Sequence, residues 1–316
     1  MLRDRLFLVV KSIVVIASIW FIISSIKKRP ELLGFFSDPS SSLQSGTLLF
    51  VVLGLMILNW GLETIKWHIL VSAVEPLSWR RSMYSVLSGA TVSLIAPNRT
   101  GEFVGRAFHV SPGNRIKASL CTIPGSLSQL LITLLMGLFA IPFVRSPFDQ
   151  FGIEIEVIVV WLVLAVVLLA IVYYYLPGLR FRLRINSMFS TLNSYLSPLF
   201  SYSKVDLGMI LFLSMLRYLV FTVQFYLMFL AFGVDVPFWK AVAAIANIYL
   251  FLALIPGFAI TEFTLRGSVT LYLFSALTSN ATGVLAASSA LWFINLVIPA
   301  LLGSMAIYAV KSKSRK

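Results

Sequence analysis

Six apolar runs, each long enough to cross a bilayer as a helix of about 20 residues, recur from one end of the chain to the other. They are Leu6–Ile26, Leu48–Val74, Ala118–Val144, Val157–Leu176, Leu207–Phe232 and Gly283–Val310. Lipid offers the backbone no hydrogen-bond partner, and none of the runs alternates with the two-residue period of a barrel strand, so the spans are helical. Composition points the same way. Of 316 residues, 59% are hydrophobic and 12% charged, against roughly 25% charge in soluble domains. A water-soluble fold has too little polar surface to cover such a chain. The predicted fold is an all-α polytopic membrane bundle forming one membrane domain over residues 1–316.

The net charge of +13 does not imply nucleic acid, because the basic residues sit in short loops between apolar spans. That distribution marks topology and anionic headgroups. Cys121 is the only cysteine, so no intrachain disulfide is expected. Leu6–Ile26 is too long for a signal-peptide core, and Lys27-Lys28-Arg29 follows it without a cleavage site, so it reads as a retained first helix.

Two regions are not simple spans. Met83–Pro97 offers only a short apolar run before Pro97-Asn98-Arg99-Thr100-Gly101-Glu102, and Phe103–Val110 then carries Arg106 and His109. Ala241–Ile255 is likewise followed by Pro256-Gly257 and then Phe263–Leu277. Proline ends each first arm and the small residues after it permit a turn, with Pro97, Gly101, Pro256 and Gly257 at the breaks. Broken backbone at membrane depth must be buried in protein or face a watery cavity. If both regions are re-entrant hairpins among six full spans, segments 1–5, 74–82, 110–117, 177–204 and 311–316 lie inside with 14 Lys/Arg. The outside segments 27–46, 144–156, 233–239 and 277–283 then hold 4, the bias the positive-inside rule expects. The alternative, eight spans, puts Arg180, Arg182, Arg184 and Lys204 outside.

The hairpin arrangement places the N- and C-termini in the cytoplasm and gives units 47–144 and 205–310 opposite orientations. Such an inverted repeat with discontinuous helices near the midplane is the architecture of many secondary transporters. Between the units, 177–204 reads as a cytoplasmic interfacial segment. Within it Arg180–Phe200 has apolar residues at three- and four-residue steps, as an amphipathic surface helix would.

The two breaks share a pattern: Glu102-Phe103-Val104-Gly105-Arg106 and Glu262-Phe263-Thr264-Leu265-Arg266. Glu at i and Arg at i+4 face each other on a helix in the favourable order, and pairing lowers a cost of about 2.5–3.5 kcal/mol per mid-membrane charge. Each Glu falls near the start of its second half-helix, where the positive dipole end favours a carboxylate. The arginines can then share a forked donor set with phosphate or carboxylate. Asn59, Glu63 and Lys66 lie at three- and four-residue steps and share a face; Lys66 either joins that face or snorkels to the interface. Arg217 stands mid-span with no acidic neighbour in sequence, so its expected partner is Glu262 or Glu102. Gln129, Gln224, Asn247 and Asn295 read as interhelical hydrogen-bond glue.

Two histidines, His68 and His109, and one cysteine do not furnish a zinc site. The absence of a Gly-x-x-x-x-Gly-Lys motif excludes a phosphate-cradling ATPase loop. No metal, cofactor or catalytic constellation is expected.

At Pro97 to Glu102, with Arg106 four residues on, the sequence resembles the membrane region of lysylphosphatidylglycerol synthases, a flippase-like domain family. The Asn59…Lys66-Trp67 helix and the Pro256-to-Glu262 break match its layout, over about residues 47–310. The second break usually carries more glycine than Phe258, Ala259 and Ile260 provide here. The resemblance implies a flippase-like membrane domain. In the full synthases a separate cytosolic domain transfers the aminoacyl group, and only Lys311 to Lys316 follows the last span, so lipid aminoacylation is not expected.

The leading expectation is a translocase of a lipid or lipid-linked anionic headgroup in a plasma (inner) membrane. Its substrate-binding residues would be Arg99, Glu102, Arg106, Glu262, Arg266, Arg217, Glu63 and Asn59. Membrane lipids are the expected partners, with a second copy or a membrane enzyme also possible. The alternative is a non-transporting partner for a lipid-modifying or glycan-synthesising enzyme.

Overall fold

The computed structural model describes residues 43–96, 100–143, 155–178, 190–255 and 259–309. The predicted first span, Leu6–Ile26, and the breaks at Pro97, Arg99, Pro256 and Gly257 lie outside them, as do the side chain of Glu262 and segment 179–189. The described residues are helical, with no strand among them, and five stretches are long and apolar enough to cross a membrane: Gly46–Ser72, Pro112–Phe143, Glu156–Tyr175, Lys204–Ala231 and Ala281–Tyr308. These coincide with the five remaining sequence-predicted spans. The protein is an all-α, multi-pass membrane bundle.

Helix α1 (Leu43–Ser72) packs along α8 (Lys204–Ala231). Three cross-contacts fix their relative direction. Gln224 Nε2 donates to Val52 O at 2.9 Å, Arg217 Nε to Asn59 Oδ1 at 2.8 Å, and the Tyr202 hydroxyl, just before α8, to Leu70 O at 2.7 Å. Partners descend on α1 as they ascend on α8, so the two helices are antiparallel. Helix α8 begins with a capping box, in which Ser203 Oγ accepts from Asp206 N and Ser203 N donates to Asp206 Oδ2, satisfying two orphan groups at once.

After α1 comes the first hairpin: α2 (Trp79–Ser93) and the seven-residue α3 (Gly101–Ala107). At 1.5 Å per residue these arms are about 22 and 10 Å long, short of a hydrocarbon core of about 30 Å. The arms return on one another almost without separation. A Cβ on Gly105 would stand 2.5 Å from Ser88 O, and one on Gly101 2.3 Å from the Val92 carbonyl carbon. Ser85 Oγ donates to Arg106 O at 2.6 Å. The sequence places Gly101 at the break; in the structure it is the first residue of α3, and its missing side chain is used for this close approach. Glu75 ties the base of the hairpin by accepting from Ser111 N, Ser111 Oγ and Asn114 Nδ2.

The chain continues through α4 (Arg115–Leu120), α5 (Thr122–Ala140), α6 (Ile155–Tyr175) and the short α7 (Ser190–Leu196). The described part of the expected interfacial helix is this α7 and a 3-10 turn, Ser197–Phe200, that buries Pro198 and Leu199 against the rest of the bundle. Beyond α8, helices α9 (Phe238–Leu254) and α10 (Ala259–Ser275) form the second hairpin, packed together across four intervening residues. The last span comprises α11 (Ala281–Trp292), a π turn at Phe293–Val297, and α12 (Ile298–Ala309). Pro299 supplies no N–H for the Asn295 carbonyl, which accounts for the widened turn.

The two hairpins exchange partners: α2 packs on α12, and α9 packs on α5. Two apolar cores lie at either end of the α1/α8 pair. One gathers Val52 and Met56 with Phe225, Met228, Phe229 and residues of α9 to α11; the other gathers Trp67, Leu70 and Val71 with Cys121, Tyr202, Leu207 and Ile210. Glu63 on α1 and Arg217 on α8 fall between them.

Candidate functional site

The face predicted for α1 turns inward, with Asn59, Glu63 and Lys66 all buried. Glu63 is the hub. Its Oε1 accepts from Arg106 Nη2 at 2.7 Å, and its Oε2 pairs with Lys66 Nζ at 2.9 Å and with Arg217 Nη1. One carboxylate therefore binds three cations drawn from α1, α3 and α8. Removed from water, none of these charges is tolerable without such pairing.

Each cation has a second anchor. Arg106 Nη2 also pairs with Glu102 Oε2 at 2.7 Å, the predicted i to i+4 contact, and its guanidinium lies 5.2 Å from the centroid of the Trp67 ring, within cation–π range. Arg217 Nε donates to Asn59 Oδ1 at 2.8 Å and Nη1 to Gln129 Oε1 at 3.4 Å. Lys66 Nζ donates to Gly125 O and Ser214 Oγ, each at 3.4 Å, and Ser214 Oγ is 2.8 Å from Ser128 Oγ. The cluster thus joins α1, α3, α5 and α8.

Several expectations change here. Lys66 does not snorkel; it is buried on Glu63. A carboxylate partner of Arg217 is Glu63, which the sequence did not suggest, because the antiparallel packing of α1 on α8 sets position 217 against positions 59 and 63; the side chain of Glu262 lies outside the described residues. Gln129 and Gln224 do bond between helices, but Asn247 and Asn295 donate to carbonyls four residues back on their own helices, Ala243 O and Leu291 O. Arg266 stands on α10, the second arm of the second hairpin, where its carbonyl accepts from Thr270 Oγ1 at 2.7 Å. Ser128, Ser214 and the Gly125 carbonyl were not singled out from sequence. The signal for Ser214 was its position three residues before Arg217, on the same face of α8.

Among the described residues the cluster holds three cations against two carboxylates, Glu63 and Glu102. Unpaired donors accompany it. Arg106 Nε and Asn59 Nδ2 are buried without a hydrogen-bond partner among the described residues. Such a site suits an anion with several acceptor oxygens.

Comparison with curated proteins and with solved structures gave no match for the chain. A family profile does match, over residues 8–303, and its span includes every residue of the Glu63 cluster. The chain belongs to the family described as the lysylphosphatidylglycerol synthase TM region.

Proposed function

We propose that this protein binds the anionic headgroup of a lipid, or of a lipid-linked precursor, at the Glu63 cluster and carries it across the bilayer without hydrolysing ATP. One observation carries the reading: among the described residues the buried Lys66 and Arg106 and the half-buried Arg217 share two carboxylates, Glu63 and Glu102, and unpaired donors stand beside them. A charge at such depth is a functional candidate by default, because glue is available at far lower cost from neutral side chains.

An inverted repeat accompanies this reading. Units 47–144 and 205–310 each run as long span, hairpin, long span; their first helices are antiparallel, and each hairpin packs on the closing span of the other unit. The hairpins then enter from opposite faces of a plasma (inner) membrane, with both chain termini cytoplasmic. Alternating exposure of one midplane site follows from that symmetry. The role assigned is transport and involves no covalent chemistry.

Reconstitution into vesicles containing a fluorescent phosphatidylglycerol, with dithionite quenching of the outer leaflet, tests the proposal. Wild-type protein should accelerate transbilayer movement, and Arg106→Gln or Arg217→Gln should reduce that rate at least tenfold, while the Arg217→Lys variant keeps part of it. Rates unchanged in both glutamine variants would overturn the reading. A wild-type rate equal to empty vesicles, with a stable enzyme co-purifying, would instead support a non-transporting partner.

A further inference from the structure

Glu63 and Glu102 both bind Arg106, yet they are held very differently. Glu63 is 5% exposed and is shared with Lys66 and Arg217. Glu102 is 27% exposed and has Arg106 as its one partner among the described residues. Both carboxylates crowd onto a single nitrogen, Nη2, while Nε of the same guanidinium is buried and unpaired. An arginine in this state is under-used, since its planar fork matches two oxygens of one carboxylate or phosphate. The Nε edge faces Gly89 of α2, where a Cβ would come within 3.4 Å of it and 3.0 Å of Arg106 Cγ. Gly89 packs that edge too closely for even a methyl group, so any exchange takes place at Nη2, on the side of the more exposed Glu102.

Resting on the headgroup reading above, we infer that Glu102 is a built-in substitute for the ligand: an exchangeable carboxylate that occupies Arg106 until a phosphate-bearing lipid headgroup displaces it. On displacement the headgroup phosphate takes the place of Glu102 on Nη2, while Glu63 remains as the fixed counter-ion to Lys66, Arg217 and Arg106. The exchange replaces one anion by another, so Arg106 is never left uncompensated in the membrane. Glu102 thereby keeps affinity moderate, which a carrier requires for release on the far side.

The sign of the prediction separates this from a structural role. A carboxylate that merely positions Arg106 helps binding, whereas one that competes with the ligand opposes it. The test uses the full chain in detergent, titrated by isothermal calorimetry with dodecyl phosphate and, in a separate arm, with inorganic phosphate. Glu102→Gln should bind dodecyl phosphate about five- to tenfold more tightly than wild type, and Glu102→Asp, which keeps the charge, should not exceed wild type. In vesicles Glu102→Gln should also slow release, lowering the maximal rate as apparent affinity rises. Weaker or unchanged binding by a folded Glu102→Gln protein overturns the substitution while leaving the headgroup reading intact. Binding of dodecyl phosphate by neither protein overturns both. Inorganic phosphate bound as tightly as dodecyl phosphate assigns the site to a free anion and overturns the lipid headgroup.

Discussion

Replacing Glu63 by glutamine keeps the shape of the hub and removes its charge. Each of the three cations lies in contact with the carboxylate, Arg106 and Lys66 at 2.7 and 2.9 Å. With charge centres about 4 Å apart and an effective dielectric near 20, each attraction is about 4 kcal/mol in gross terms. Repulsion among the three cations and desolvation of the carboxylate, several kcal/mol, take back most of that sum. The net value of the intact cluster is therefore small, but the cost of breaking it is not. In Glu63→Gln the buried Arg106 and Lys66 lose their shared carboxylate, and removing one partner of a buried ion pair costs about 3–5 kcal/mol. The assay is equilibrium unfolding in mixed micelles of increasing SDS fraction, followed by far-UV circular dichroism. Gln224→Leu is the comparison, because it deletes a neutral interhelical bond to Val52 O, and such bonds average about 0.6 kcal/mol in membranes. Glu63→Gln should lose several times more. Adding Lys66→Met, which removes a now excess cation, should recover about 1 kcal/mol or more. A loss below about 1 kcal/mol for Glu63→Gln, or no recovery in the double variant, would refute the reasoning that charge balance holds this cluster together.

Other outcomes follow from single contacts. Gly105→Ala should lower stability by about 1–3 kcal/mol through overpacking, since its Cβ would meet Ser88 O at 2.5 Å and Gly89 Cα at 2.7 Å, whereas Gly113→Ala, with nothing within 4 Å, should be silent in the same unfolding assay. Asn280 caps α11 by accepting from Gly283 N and ties down the α8–α9 loop by donating to Phe232 O and Gly233 O, so Asn280→Ala should cost about 1 kcal/mol. In a Cys121→Ala background, cysteines at the exposed positions 81 and 240, at the starts of α2 and α9, should react with an impermeant maleimide from opposite faces of the membrane. Labelling of both from one face would contradict oppositely oriented hairpins.

Local patterns carried much of the fold. Apolar runs and proline breaks located five described spans and both hairpins, because helix length and broken backbone are set by the bilayer itself. The Glu102–Arg106 pair and the shared face of Asn59, Glu63 and Lys66 were legible for the same reason: three- and four-residue steps are fixed by the helix. What could not be read was which helix lies against which. Glu63 and Arg217 are 154 residues apart, and no periodicity within α1 or α8 states that their midpoints cross. Without that crossing the sequence does not reveal Glu63 as a partner of Arg217, and it leaves Lys66 a route to the interface that α5 and α8 in fact close.

That crossing gives the cluster its particular position. Glu63 connects α1 to α8, the first helices of the two proposed units, and, through Arg106, to the short arm of a hairpin. Any relative rocking of the units must stretch Glu63–Arg217, while any displacement of the hairpin must stretch Glu63–Arg106. Both movements draw on a single carboxylate, so on the proposed reading they are coupled: weakening one contact frees Glu63 to strengthen the other. A ligand that relieves Arg106 of Glu102 acts at this junction. Its effect on the α1/α8 contact is then measurable as a coupling energy between Glu102→Gln and Arg217→Lys in the unfolding assay. Substitutions that act independently should be additive within about 0.5 kcal/mol, and a larger residual is expected here.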